Sequence, residues 1–204
     1  MSKRRKHKKK HHNIFDNVFH TLATKMPQLI IPIINLLYGL SIPFDAPITQ
    51  LRNEFYERNG TFITDSVYLI AGRYFHLECQ SLADPTMSIR MFQYDTSIAI
   101  EYADKSGGEY SLTYPDSAVI YLRPGNSSHS VNISFPDNME AYYRTGSLNV
   151  QDYTKEDIFE KKLFLFLPFY IMRYEKLFKN NTYDEAWINE LLYEFSDIRD
   201  RLYY

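Results

Sequence analysis

The stretch ITDSVYLIAGRYFHLECQS, residues 63–81, decides how the chain is read. Two apolar runs flank Ala71-Gly72, the pattern of adjacent strands joined by a tight turn. Side chains alternate along a strand, so Glu78 and Gln80 share one side of the sheet, and an antiparallel partner brings Asp65 alongside them. Two carboxylates and a third polar group then converge, and hard oxygen donors of this kind suit Mg2+ or Mn2+. Plainer readings stand beside this one. Asp65, next to Ser66, ends strand pairing or accepts backbone hydrogen bonds, and Gln80 alone is an ordinary strand residue. Glu78, between Leu77 and Cys79, is costly to bury unless paired or metal-bound. His76 shares its face and is either a group supporting the ligand or a satisfied core histidine.

Working outward, Ile14, Phe15, Val18, Phe19 and Leu22 recur at helical spacing and predict a helix from Asn13 to about Lys25. Asp16 falls on its first turn, where it also suits the helix macrodipole. Pro27 restarts the chain, and the run Leu29 to Leu37 predicts a second, largely buried helix ending at Gly39. Residues 48–56, 61–71 and 73–81 read as three strands, with turns at Asn59-Gly60 and Gly72. Asp84-Pro85-Thr86 opens a helix drawn by Met87, Met91, Phe92, Ile98 and Tyr102, stopped by Gly107-Gly108. On it Arg90, Gln93 and Tyr94 lie at i, i+3 and i+4 and can project from one face. Arg90 can equally pair with an acid on its own helix surface.

SAVIYLRPG reads as a strand, and VNISFPDNMEAYYRTGSLNV as two strands around Pro136-Asp137-Asn138. Thr154 caps a further helix with Asp157 three residues on. The apolar run Ile158 to Tyr174 continues that helix, with a kink expected at Pro168. Charged flanks make this run packed core rather than a membrane segment. A last helix covers residues 183–204. The expected architecture is α/β: a mixed central sheet flanked by helices, with a C-terminal helical extension. It divides into a disordered basic tail at 1–12, a core at 13–153 and C-terminal helices at 154–204 packed on that core.

With 204 residues, 45% of them hydrophobic, the chain has material for one core. Its single cysteine, Cys79, excludes an intrachain disulfide and suits a reducing, cytoplasmic setting. The longest apolar stretch, MPQLIIPIINLLYGL, is interrupted by prolines and polar residues and falls short of the about 18 residues a membrane helix needs, so no membrane association is expected. No secretory signal is read either. The formal charge of −2 hides an asymmetry: Lys3, Arg4, Arg5, Lys6, Lys8, Lys9 and Lys10 are seven of the 23 basic residues, and without them the charge is −9. Such a tail can attract nucleic acid phosphates irrespective of sequence, or serve only as a solvated or metal-sticky tract. The acidic remainder opposes DNA binding unless its own basic residues cluster near the site.

The order of these elements, with NIFDNVFHTL at the start, ITDSVY and FHLECQS at the centre, SIRMFQYDTSIA, AVIYLRP and DIFEKKLFLFLPFYIMRYE after them, resembles the PD-(D/E)XK nuclease superfamily, more closely its recombination-promoting nuclease and transposase-like branch. The likeness spans roughly residues 13–178. It implies a restriction-endonuclease-like core, Asp65 and Glu78 as ligands of Mg2+ or Mn2+, and Gln80 where such enzymes usually carry lysine. Asp16 matches an acidic position of the first helix, and Arg90, Gln93 and Tyr94 match supporting polar groups. The implied activity is DNA endonuclease cleavage by metal-assisted phosphodiester hydrolysis, with a homodimer where both strands are cut. Glutamine stays neutral where lysine carries charge, which keeps open a degenerate member that binds nucleic acid or a protein without cleaving. The 18 tyrosines and 14 phenylalanines also admit an interaction module. No G-x-S-x-G, H-E-x-x-H or G-x-x-x-x-G-K motif offers another chemistry.

Overall fold

A computed structural model describes residues 14–57, 60–64, 66–125, 129–180 and 184–203, and only the backbone of 55–57 and 60–63. Asp65 and the basic residues Lys3 to Lys10 lie outside them. The chain begins with helix α1 (Ile14–Lys25), a 3-10 turn at Pro27–Ile30 and α2 (Ile31–Tyr38), which ends at Gly39 in the left-handed conformation. Strands β1 (Ile48–Gln50), β2 (Glu54–Glu57), β3 (Gly60–Ile63), β4 (Ser66–Ile70) and β5 (Arg73–Gln80) follow, then α3 (Met87–Glu101). After α3 come β6 (Asp104–Ser106), β7 (Glu109–Ser111), β8 (Asp116–Tyr121), β9 (His129–Ser134) and β10 (Glu140–Asn149). The chain closes with α4 (Lys155–Glu160), a 3-10 segment at Phe164–Tyr174, α5 (Glu175–Asn180) and α6 (Glu185–Tyr203).

Six of the strands form one sheet in the order β1-β4-β5-β8-β10-β9. It is mixed: β5 runs parallel to β8 and β8 parallel to β10, while the β1/β4, β4/β5 and β10/β9 pairs are antiparallel. Parallel neighbours need a crossover, and α3 supplies it between β5 and β8. The alternation along β5 sorts its side chains into two layers. Phe75, Leu77 and Cys79 join Phe19 of α1, Ile33 of α2, Phe169 and Ile198 in the main core. On the other face Met87 and Met91 of α3 meet Val119, Tyr121 and Tyr143, and Ile98 meets Val67. The fold is therefore mixed α/β, a six-stranded sheet between helices with a C-terminal helix added. Among the described residues no helix is long and apolar enough to cross a membrane; the FLFLPFYIM run instead buries Leu165, Phe166, Phe169, Tyr170 and Met172.

Several expected boundaries move. The runs 48–56 and 61–71, each expected as one strand, divide into β1 with β2 and β3 with β4, and β2 pairs with β3 in a separate two-stranded sheet. Gly107-Gly108 does not stop α3, which ends at Glu101; the two glycines, both at positive φ, turn the β6–β7 hairpin. The helix begun at Thr154 has its expected capping box with Asp157, but it does not run on to a kink at Pro168. It stops at Glu160, because Lys162 takes a left-handed conformation while Leu163 N–H reaches the Ile158 carbonyl at 2.8 Å and Lys162 N–H the Phe159 carbonyl at 3.3 Å. That bond pair is a Schellman termination, and Ile158 and Leu163, the positions where its hydrophobic contact forms, are both fully buried in the main core. The segment holding Pro168 then winds as 3-10 helix, consistent with the loss of a backbone donor there.

The β4–β5 hairpin turns on Ala71 and Gly72, both at positive φ. A two-residue turn of this hand favours Asn-Gly, and alanine's Cβ is strained there. Ala71→Asn should therefore raise stability by about 0.5–1 kcal/mol, read as a higher urea midpoint with an unchanged denaturant slope.

Candidate functional site

β5 carries His76, Glu78 and Gln80 on the face that α3 covers, and α3 returns Arg90, Tyr94 and Asp95 toward them. Glu78 is fully buried. Its Oε1 accepts from Arg90 Nη2 at 2.8 Å and, more weakly, from Gln80 Nε2 at 3.4 Å. Arg90 is held on two other sides, donating through Nη1 to Asp84 Oδ2 at 2.6 Å and through Nε to the Tyr94 hydroxyl at 3.3 Å. Asp84 is fixed in turn by the Thr86 backbone N–H at 2.8 Å and hydroxyl at 2.6 Å. Burial raises the Asp84 pKa, but the bonds from Thr86 and Arg90 outweigh it and leave that pKa below its ordinary value.

A second chain of contacts meets Glu78 from behind. The Tyr143 hydroxyl donates to Asp95 Oδ2 at 2.6 Å, and Asp95 Oδ1 lies 2.6 Å from His76 Nδ1. The other ring nitrogen, Nε2, stands 3.8 Å from Glu78 Oε2. His76, Glu78 and Asp95 are all fully buried. Burial by itself would strip the proton from His76, but the Asp95 carboxylate, through charge and hydrogen bond, and then Glu78 raise its pKa to about 9. Burial, then the Asp95 charge, push the Tyr143 phenol upward, so it serves as a donor.

Of the residues singled out in the sequence, Glu78, Gln80, Arg90 and Tyr94 come together. Gln93 is on the exposed side of α3. Asp16 is on α1, the helix whose Phe19 and Ala23 pack on the opposite face of the sheet; its Oδ1 is buried with no hydrogen-bond partner among the described residues. Arg90 pairs not only with an acid beside its own helix, Asp84, but with Glu78 itself. Asp84, Asp95 and Tyr143 were not singled out as site residues. A signal for Asp95 existed: it interrupts the apolar stripe of Met87, Met91 and Ile98, and a carboxylate on a buried helix face needs a partner. Among the described residues no three His, Cys, Asp or Glu side chains form a metal-holding group. Comparison of the chain with models of protein families, with curated proteins and with solved structures finds no match.

A buried carboxylate that loses its cation is left uncompensated. Arg90→Met should thus cost about 3–5 kcal/mol, and adding Glu78→Gln should recover part of that loss in a double-mutant cycle of urea unfolding. The His76 shift has its own signature. A pKa raised on folding contributes stability that is full below the unfolded value near 6.5 and lost as pH rises through about 9. The urea midpoint of the wild type should fall across that window, and the fall should shrink in Asp95→Asn.

Proposed function

We propose that the chain is a metal-dependent DNA endonuclease with a restriction-endonuclease-like core, of the recombination-promoting nuclease and transposase-like type in the PD-(D/E)XK superfamily. The observation that carries the reading is Glu78: a carboxylate with no exposure, on a strand bound in parallel to β8, with the E-x-Q partner Gln80 beside it and Arg90 from the crossover helix on one oxygen. Asp65, the residue before the start of β4, is the proposed second carboxylate. The donors are hard oxygens, as Mg2+ or Mn2+ requires. When bound, the ion would lower the pKa of a water and balance charge on the scissile phosphate.

The chain's own residues have distinct tasks in this scheme. Arg90, donating to Glu78 Oε1, fixes the orientation of the carboxylate that would ligate the ion. Gln80, which both donates and accepts, orients the attacking water. No covalent enzyme intermediate is needed, which agrees with Cys79 lying in the opposite core. The basic tail supplies phosphate attraction that weakens steeply with salt.

A second reading, a member that binds nucleic acid without cutting it, is favoured by the ion pair at Glu78, since Arg90 already balances that carboxylate. Nicking of supercoiled plasmid with Mg2+ or Mn2+ separates the two. Cleavage reduced about 100-fold or more in Asp65→Asn and Glu78→Gln is the expected result, given the share of the barrier a catalytic ion removes. Salt-sensitive DNA binding with no nicking by the wild type would favour the second reading.

A further inference from the structure

We propose that the cavity where the end of α1 meets β1 and the start of β4 receives one unpaired nucleobase of the DNA strand, favouring adenine or cytosine over thymine. The inference rests on the DNA reading and deepens it by naming the part of the strand that is held and the groups that hold it.

The cavity holds about 180 Å³, and its polar lining comes from Thr24 of α1, Gln50 of β1, Asn53, Ser66 of β4 and the half-buried His20. Among the described residues no Asp, Glu, Lys or Arg side chain lines it. A phosphate or a metal ion would lack a counter-charge there, so the lining fits a neutral polar ligand. Leu51 and Val67 add apolar walls, the mixture by which small-molecule sites hold a ring while a few polar groups orient it. His20 contributes a ring of the kind on which bases stack.

Ser66 gives a second, independent sign. Only 6% exposed, it lines the cavity with a buried hydroxyl that has no hydrogen-bond partner among the described residues. Buried polar groups are almost always bonded, so this one calls for a group from whatever fills the space.

The two amides select the base. Gln50 Nε2 donates to the Ala23 and Thr24 carbonyls at 3.2 and 2.8 Å, and Asn53 Nδ2 to the Thr64 carbonyl at 3.1 Å. These bonds fix the orientation of each amide, commit its donor to the frame and leave Gln50 Oε1 and Asn53 Oδ1 as acceptors. Adenine and cytosine each offer an exocyclic amino group to such acceptors, whereas thymine carries a carbonyl in that place. The position suits the proposed chemistry as well. Ser66 lines the cavity, and Asn53 is bonded to Thr64 through its carbonyl as well as its side chain, the Thr64 N–H donating at 2.9 Å. Thr64 and Ser66 are the chain neighbours of Asp65, the proposed second carboxylate, so a seated base would belong to a nucleotide beside the scissile phosphate.

The test is fluorescence anisotropy of the full-length protein in EDTA, where no cleavage occurs. The probes are a single-stranded thymidine oligonucleotide and the same strand with one central deoxyadenosine or deoxycytidine. The substituted strands should bind about tenfold more tightly. Thr24→Trp, at an exposed position whose larger ring would fill the cavity, should abolish that difference while salt-dependent binding of the thymidine strand persists. Ser66→Ala should shrink the difference about threefold, with circular dichroism reporting that both variants remain folded. If Thr24→Trp fails to fold, the backbone amide resonances of Asn53 and Ser66 in the wild type decide the same question: they should shift with the adenine-bearing strand and not with the thymidine strand. Equal affinity for all the strands, or a preference that survives in Thr24→Trp, overturns the inference and leaves the DNA reading standing. Failure of the wild type to bind any strand at low salt overturns the DNA reading itself, and this inference with it.

Discussion

A carboxylate sealed away from water must be balanced from inside the protein, and Glu78 is balanced by Arg90 at 2.8 Å. The pair joins the central strand β5 to the crossover helix α3, which the 2.6 Å contact of His76 with Asp95 also ties. Desolvating both charges is costly, so such a contact persists only when further hydrogen bonds hold its geometry. Here they come from Gln80, Asp84 and Tyr94. Around this polar centre the sheet face is apolar, with Met87, Met91, Val119 and Tyr121 closing it off. Low polarity around the cluster strengthens each contact within it and penalises any group left unmatched.

The two faces of β5 divide the labour of the molecule. Phe75, Leu77 and Cys79 hold the strand in the larger core with the N-terminal and C-terminal helices. His76, Glu78 and Gln80, one residue out of step, present chemistry to α3. The strand is anchored from one side while its other side carries groups that packing alone would expel. The same division explains why a thiol between the two site residues takes no part in their chemistry.

Much of this was legible in the sequence because it rests on local rules. Period-two alternation put Glu78 and Gln80 on one face and Cys79 on the other, helical spacing gave α1, α2 and α6, and Thr154 with Asp157 announced the start of α4. What escaped depends on partners distant in sequence. Asp95 breaks the apolar stripe of α3, but the partners it needs, His76 and Tyr143, lie 19 and 48 positions away and are identified only by the packing. Arg90 had a plausible neighbour on its own helix, and only the β5–α3 packing shows that it also serves Glu78. The early end of α4 hides for a different reason: Lys162 in a left-handed conformation is unusual, and glycine is the residue that commonly announces such a stop.

Arg90 and Asp95 sit five residues apart on the same helix, about 7.5 Å along its axis, and between them they govern both flanks of one strand carboxylate. The helix therefore behaves as a single rigid key cut with two teeth. Sequence change along this lineage cannot retune one tooth freely: a drift of α3 by a fraction of a turn misplaces the cation and the imidazole's anchor together. Substitutions on β5 and α3 are accordingly expected to be inherited as matched sets, and a chimera joining one homologue's strand to another's helix would fail even if each half were sound alone.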